Sequence, residues 1–142
     1  MSQKDFLFNQ ITVFFKHTDN HGFVHPYYYL EWMSYAREFF FQQLVPNFRD
    51  VCNQNIKMVT YKVEMAYFGD VTFGSRVLIH IYSKNIKKLS FDIVFDFYDE
   101  CQKKIGRGLQ TLTFLDSEKS KAVLIPEELK KVVLAYEHVD DN

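Results

Sequence analysis

Residues 9–16, NQITVFFK, set Ile11, Val13 and Phe15 against Thr12, Phe14 and Lys16, a period-two pattern that predicts a strand with one strongly buried face. From Pro26 to about Leu44, PYYYLEWMSYAREFFFQQL is apolar almost all round, apart from a stripe of Glu31, Ser34, Glu38 and Gln42 at spacings of three and four. Such a segment predicts a helix wrapped by the rest of the chain. Pro26 suits the first helical position and VPNF at 45–48 ends the run. Beyond it, Val59, Tyr61, Val63, Met65 and Tyr67 alternate with Thr60, Lys62, Glu64, Ala66 and Phe68 up to a Gly69-Asp70 turn. Residues 76–83, 89–98 and 105–115 are likewise strand-like, separated by the polar turns KNIKK and DECQKK, and read as an antiparallel meander. A short amphipathic helix is predicted at 126–136, with Leu129, Val132, Val133 and Tyr136 on its apolar face. The tail, 137–142, is expected to fray.

One strand, one long buried helix and several antiparallel strands, without repeats or a long linker, predict a single α+β domain over residues 1–142: a sheet wrapped around a central α-helix. An open sheet leaves unpaired edges, and joining one to a second copy relieves that problem, so a homodimer is expected. Composition agrees. The chain has 142 residues, 47% of them hydrophobic, with fifteen Phe and nine Tyr, enough for one core and for further apolar surface buried against a partner. Seventeen basic residues oppose eighteen acidic ones and none cluster, which argues against a nucleic-acid partner. Cys52 and Cys101 lack CxxC spacing and are expected as free thiols in a reducing compartment. No signal-like start or apolar run of membrane-spanning length occurs, so the cytoplasm is the expected location and no membrane partner is predicted.

The candidate chemistry lies where the first strand meets the long helix, TDNHGFVHPYYYLEW at 18–32. Asp19 stands in a loop just before a buried helix, near a glycine, Gly22, that permits close backbone approach. That is where a ligand meets free N–H groups. A loop Asp equally caps turns or helix starts, and both readings of Asp19 stand at this point. His17, His21 and His25 lie four apart, but that spacing aligns ligands only on a helix, which Gly22 and Pro26 oppose; no metal site is expected. His21 and His25 flank the glycine and are candidates for ligand contact or proton transfer.

The stretch HTDNHGFVHPYYYLEWMSYAREFF resembles the D-x-D-x-x-G-x-V, N-Y and aromatic-helix signature of the hotdog-fold acyl-CoA thioesterases of the 4-hydroxybenzoyl-CoA thioesterase type, including the YbgC-like branch. Asp19, Gly22, Val24, Tyr29, Trp32, Ala36 and Arg37 fall at matching positions, and VEMAYFGDVTFGSRV and GRGLQTLTFLDSEKSKAVLIPEEL extend the likeness over nearly the whole chain. The resemblance implies a hotdog fold, a homodimer or homotetramer, and hydrolysis of an acyl-CoA or acyl-carrier-protein thioester. No cofactor is implied beyond coenzyme A as part of the substrate, and no metal. It makes Asp19 the general base or nucleophile, the backbone at Gly22, His25 and Tyr27 the oxyanion-stabilising end, and His21, Tyr28, Tyr29, Glu31 and Trp32 the substrate contacts. Some members of a different subgroup carry their carboxylate on the central helix, which gives Glu31 a second possible role. Lys84, Lys87, Lys88 and Arg107 are candidates for contacting CoA phosphates.

Three positions depart from the pattern. His17 replaces the first Asp, Tyr28 replaces the Asn, and Pro26 stands where some members use a backbone N–H that proline lacks. WMSYAREFF is also similar to the enediyne polyketide thioesterases, which lack the acid; Asp19 favours the acid-dependent branch. The alternatives are a non-catalytic acyl-CoA-binding hotdog module, a polyketide-pathway acyl-carrier-protein thioesterase, and a hotdog dehydratase using His17 and Glu31.

Overall fold

In the computed structural model, which describes residues 3–52 and 55–139, strict alternation sorts the central strands. Phe91, Ile93, Phe95 and Phe97 of β4 (Ser90–Tyr98) and Ile79 and Ile81 of β3 (Arg76–Lys84) all turn to one face and are fully buried. With β1 (Phe6–Thr12), β2 (Ile56–Tyr67) and β5 (Lys104–Asp116) they form one antiparallel sheet in the order β1-β3-β4-β5-β2. The apolar face curls around α1 (Pro26–Leu44), whose Tyr29, Trp32, Met33, Ala36, Phe40 and Phe41 are buried. α1 lies almost on the backbone of β5: a Cβ added to Gly108 would come within 2.0 Å of Met33 Sδ. This is the hotdog arrangement, in a single α+β domain.

Several elements differ from expectation. The first strand spans Phe6–Thr12, and Phe15 is 77% exposed because the chain turns into a 3₁₀ segment at Phe15–His17. There Phe15 meets Phe73 edge-on instead of entering the core. α2 (Phe48–Cys52) was not expected after VPNF. Asn47 takes a left-handed φ of 56° and reverses the chain, so that Phe48 stacks on Phe41. β2 keeps its pairing with β5 but has no fully buried residue, because it is a sheet edge and a register shift at Thr60/Lys62 breaks its alternation. α3 (Glu127–Ala135) seals the core with Leu129 and Val133. The next residues do not fray: Glu137 pairs with Ser83, the His138 N–H bonds Ser83 O at 2.9 Å, and the His138 ring stacks on Tyr82. Residues 140–142 lie outside the described residues.

Candidate active site

Between β1 and α1 the chain folds back on itself in a closed hairpin. Thr18 pairs with Val24, the Asp19 N–H donates to Phe23 O at 2.8 Å, and the Gly22 N–H donates to Asp19 O at 3.0 Å. Gly22 adopts a φ of 85°, the left-handed region that a side chain resists. The Asp19 side chain holds the turn from inside: Oδ1 accepts the N–H of His21 at 2.8 Å and of Phe23 at 3.1 Å. Those backbone bonds, from His21 first and then Phe23, hold its carboxyl below the usual range, helped by the nearby His21 and His25. Asp19 therefore does both things its sequence context allowed. One oxygen ties the turn, and the residue is exposed, with Oδ2 meeting no donor among the described residues.

The start of α1 is equally local in origin. Pro26 brings no N–H, and the His25 side chain caps the helix by accepting the Tyr27 N–H at Nδ1, 3.2 Å away. His25 N–H donates to His17 O at 2.9 Å, and His25 O accepts the Tyr28 N–H at 3.0 Å. Each of the three amides expected at the oxyanion end, Gly22, His25 and Tyr27, is thus engaged within the chain. They are not equivalent. Gly22 and His25 donate to backbone carbonyls, whereas the acceptor for Tyr27 is an exposed imidazole that can swing away.

The remaining expected contacts divide. His21 and Tyr27 are exposed beside the hairpin. Tyr29 is core: it packs edge-on against Trp32, Tyr67 and Phe97, and burial, then the charge of Asp70, pushes its phenol up to about 12. The Tyr67 hydroxyl donates to Pro26 O at 3.3 Å, tying β2 to the start of α1. Tyr28 and Trp32 both meet the ring of His17 edge-on, at 4.7 and 5.2 Å. Glu31 is exposed on the outer side of α1, where a groove of about 570 Å³ follows the Glu31–Ser34–Glu38–Gln42 stripe past Tyr35 and Phe39.

Arg107 does not join the site. It forms a two-point pair with Asp96, at 2.7 and 3.2 Å, on the sheet face turned away from α1. Farther along α1 is a feature that sequence reasoning missed. Arg37 reaches from α1 to the sheet, donating from Nη1 to Thr60 Oγ1 at 2.7 Å and Gln110 Oε1 at 3.0 Å, and from Nη2 to Glu38 at 3.1 Å. Its Nε is buried without an acceptor among the described residues. The only signal was the Ala36-Arg37 pair in the helix motif, which carries no information about what the guanidinium meets. Among the described residues no group of three or more His, Cys, Asp or Glu is arranged to hold a metal ion, and no helix is long and apolar enough to cross a membrane.

The sequence profile of the thioesterase-like superfamily matches residues 13–133. Among solved structures, that of the dynemicin thioesterase, a study of polyene binding, superposes with a TM-score of 0.89 at 18% identity, covering 96% of this chain and 100% of that one. A 1,4-dihydroxy-2-naphthoyl-CoA thioesterase from Synechocystis follows with a TM-score of 0.83, 14% identity and coverage of 92% and 96%. A Staphylococcus aureus protein solved in complex with CoA gives 0.82, 13% identity and coverage of 96% and 85%. At these identities the likeness concerns the fold. No curated protein sequence matches the chain.

Proposed function

Because the chain belongs to the thioesterase-like superfamily, we propose that it hydrolyses an acyl-CoA thioester to the free acid and CoA, with Asp19 as the reacting carboxylate. The observation that carries this reading is the state of Asp19: exposed, oriented by two backbone N–H bonds through Oδ1, and free at Oδ2. A carboxylate whose pKa is depressed is a weak base at neutral pH but is fully ionised, which favours attack by Oδ2 on the thioester carbon. The C–S bond then breaks, the thiolate leaves as CoA and takes a proton from water, and a second water hydrolyses the mixed anhydride to release the acid and restore Asp19. The charge that develops on the carbonyl oxygen requires a donor. The Tyr27 N–H is the first one α1 offers, and a substrate oxygen would take the place of His25 Nδ1 as its acceptor. His21 flanks the reacting group.

The reading includes a homodimer joined through β2. That edge is twelve residues long and exposes Tyr61, Val63 and Tyr67, a surface suited to pairing with its own copy. Assignment to the YbgC-like branch, supported by the residues of the hairpin motif, and CoA rather than a carrier protein as the thiol, supported by the CoA complex of a structural relative, belong to the same reading, as does a cytoplasmic location.

A second reading is a non-catalytic acyl-CoA-binding module, favoured by the engagement of the Gly22, His25 and Tyr27 amides and by the missing N–H of Pro26. Thiol release from a panel of short, long and aromatic acyl-CoAs, and from an acyl-carrier-protein thioester, separates the two. Hydrolysis that collapses in Asp19→Asn supports the enzyme. Tight binding of acyl-CoA with no thiol release by the wild type supports the module.

A further inference from the structure

We propose that the two turns at the β1–β3 corner of the sheet form a docking tip for the surface of a zwitterionic lipid bilayer, into which Phe15 and Phe73 insert. The first turn follows β1, the second leads into β3, and each is tied down by its own backbone. In the first, the His17 N–H donates to Phe14 O at 2.9 Å, and Phe15 O accepts the Thr18 N–H at 3.1 Å and the Thr18 hydroxyl at 2.7 Å. In the second, the Ser75 N–H donates to Thr72 O at 3.2 Å, and the N–H of Gly74, whose φ is 90°, donates to Val13 O at 2.8 Å. That last bond holds the two turns side by side. Fixed backbone thus presents the rings to solvent: Phe15 and Phe73 are 77% and 60% exposed and meet edge-on at 5.9 Å, and Phe14, next in the chain, is 59% exposed.

Area and charge decide what covers them. At roughly 200 Å² per buried ring the three offer about 400 Å², half of the roughly 800 Å² that each side of a stable protein interface contributes. A bilayer needs no matching surface, because rings enter it at the level of the headgroups without a spanning segment. The charges around the tip fit a headgroup that carries both signs. Lys16, exposed directly after Phe15, suits a phosphate. Asp70, Asp99 and Glu100 line a hollow beside the Phe73 turn, together with Thr72 and Ser75, and suit a quaternary ammonium. Arg76, whose Nη2 donates to Asn9 O at 2.7 Å, and Lys103 balance the remaining carboxylates, so the tip gains nothing from an anionic surface. It lies at the opposite edge of the sheet from β2 and stays uncovered in a dimer joined there. The proposal rests on neither Asp19 nor the thioesterase reading.

Sedimentation of the full chain with phosphatidylcholine vesicles tests this. We expect saturable binding that Phe15→Ser and Phe73→Ser each weaken at least tenfold, the effect of withdrawing one buried ring, with Tm little changed because both positions are exposed. Including phosphatidylglycerol should alter the affinity less than twofold. Should either serine variant lose its fold, Phe73→Trp decides: brominated phosphatidylcholine should quench its added fluorescence, and should quench far less the buried Trp32 of the wild type. Failure to bind phosphatidylcholine overturns the proposal, as does binding that both serine variants retain or that appears only with anionic lipid. Self-association of the lipid-free chain that Phe15→Ser abolishes also overturns it, because a second copy would then cover the tip.

Discussion

Asp19 and Asp96 both carry carboxyls held below the usual range, for opposite reasons. Asp96 is buried at the middle of the sheet. Burial pushes its pKa up, and only the hydrogen bonds and charge of Arg107, with Lys104 at 3.3 Å, pull it back down. All its ionic strength is spent inside the fold, and the neighbouring Tyr82 phenol is pushed up by the same burial and by the Asp96 charge. Among the described residues Asp19 has no side-chain partner of opposite fixed charge within hydrogen-bonding distance, and it owes its low pKa mainly to two backbone N–H groups of its own turn. The lesson is that a depressed carboxyl does not by itself mark chemistry; what distinguishes Asp19 is that ionisation is secured on one oxygen while the other stays open.

The largest effect that would break this comparison is on rate. Asp19→Asn keeps an oxygen for the His21 and Phe23 N–H bonds but loses the charge, and kcat for thioester hydrolysis should fall by about a thousandfold, with little change in Tm. Rates within tenfold of the wild type would remove Asp19 from the mechanism. Next in size is a stability effect on the other carboxylate. Arg107→Ala leaves Asp96 buried with only Lys104, and urea unfolding should show a loss of about 2 kcal/mol, below the 3–5 kcal/mol of a fully buried pair because Arg107 is half exposed. Activity per folded molecule should be unchanged. Asp96 also sets a pH dependence: its folded pKa lies below its unfolded value, so the pair stabilises fully above about pH 4, and that stability is lost as pH falls through the folded pKa. A smaller change tests the turn. Gly22→Ala forces a side chain into a left-handed φ, at a cost of about 1 kcal/mol, and should reduce kcat more than Tm because the strain falls on the segment that aims Asp19. An equal loss in Tm, with kcat intact, would mean that the turn is only structural.

What could be read from sequence follows the strength of the local pattern. α1 and β3 to β5 were legible because their buried faces are nearly uninterrupted, as in Phe91, Ile93, Phe95 and Phe97. The edges were not. β2 carries an alternation whose apolar residues find no cover, and Phe15 continues a period-two pattern past the point where the backbone leaves the sheet. α2 depends on Phe48 reaching Phe41, a contact between segments that no local pattern announces. At the site, Asp19, Gly22 and His25 were legible as a cluster because they are contiguous. Which donor each oxygen and nitrogen meets was not, since hydrogen bonds depend on backbone direction. Register explains Arg107 in the same way: its position in β5 opposite Asp96 of β4 turns it to the face away from α1.

The smallest expected effect concerns His17, which stands in sequence where the resembled family has its first acid and in space between Phe14, Tyr28 and Trp32. Burial and Lys16 lower its pKa, while Glu31 raises it slightly. The folded chain therefore resists a proton that the unfolded chain accepts. The sign follows: between the lowered folded pKa and the unfolded value of about 6.5 the unfolded state binds more protons, so stability rises with pH across that window. It is complete above about pH 6.5 and is lost progressively as pH falls toward the folded value. In an NMR titration the His17 ring should show a midpoint below 6.5, and the difference in Tm between wild type and His17→Phe should vary with pH only in that window. A midpoint at or above 6.5 would mean that the imidazole is stabilised as a cation by Glu31. His17 would then be the acid's partner rather than a neutral ring packed among aromatics.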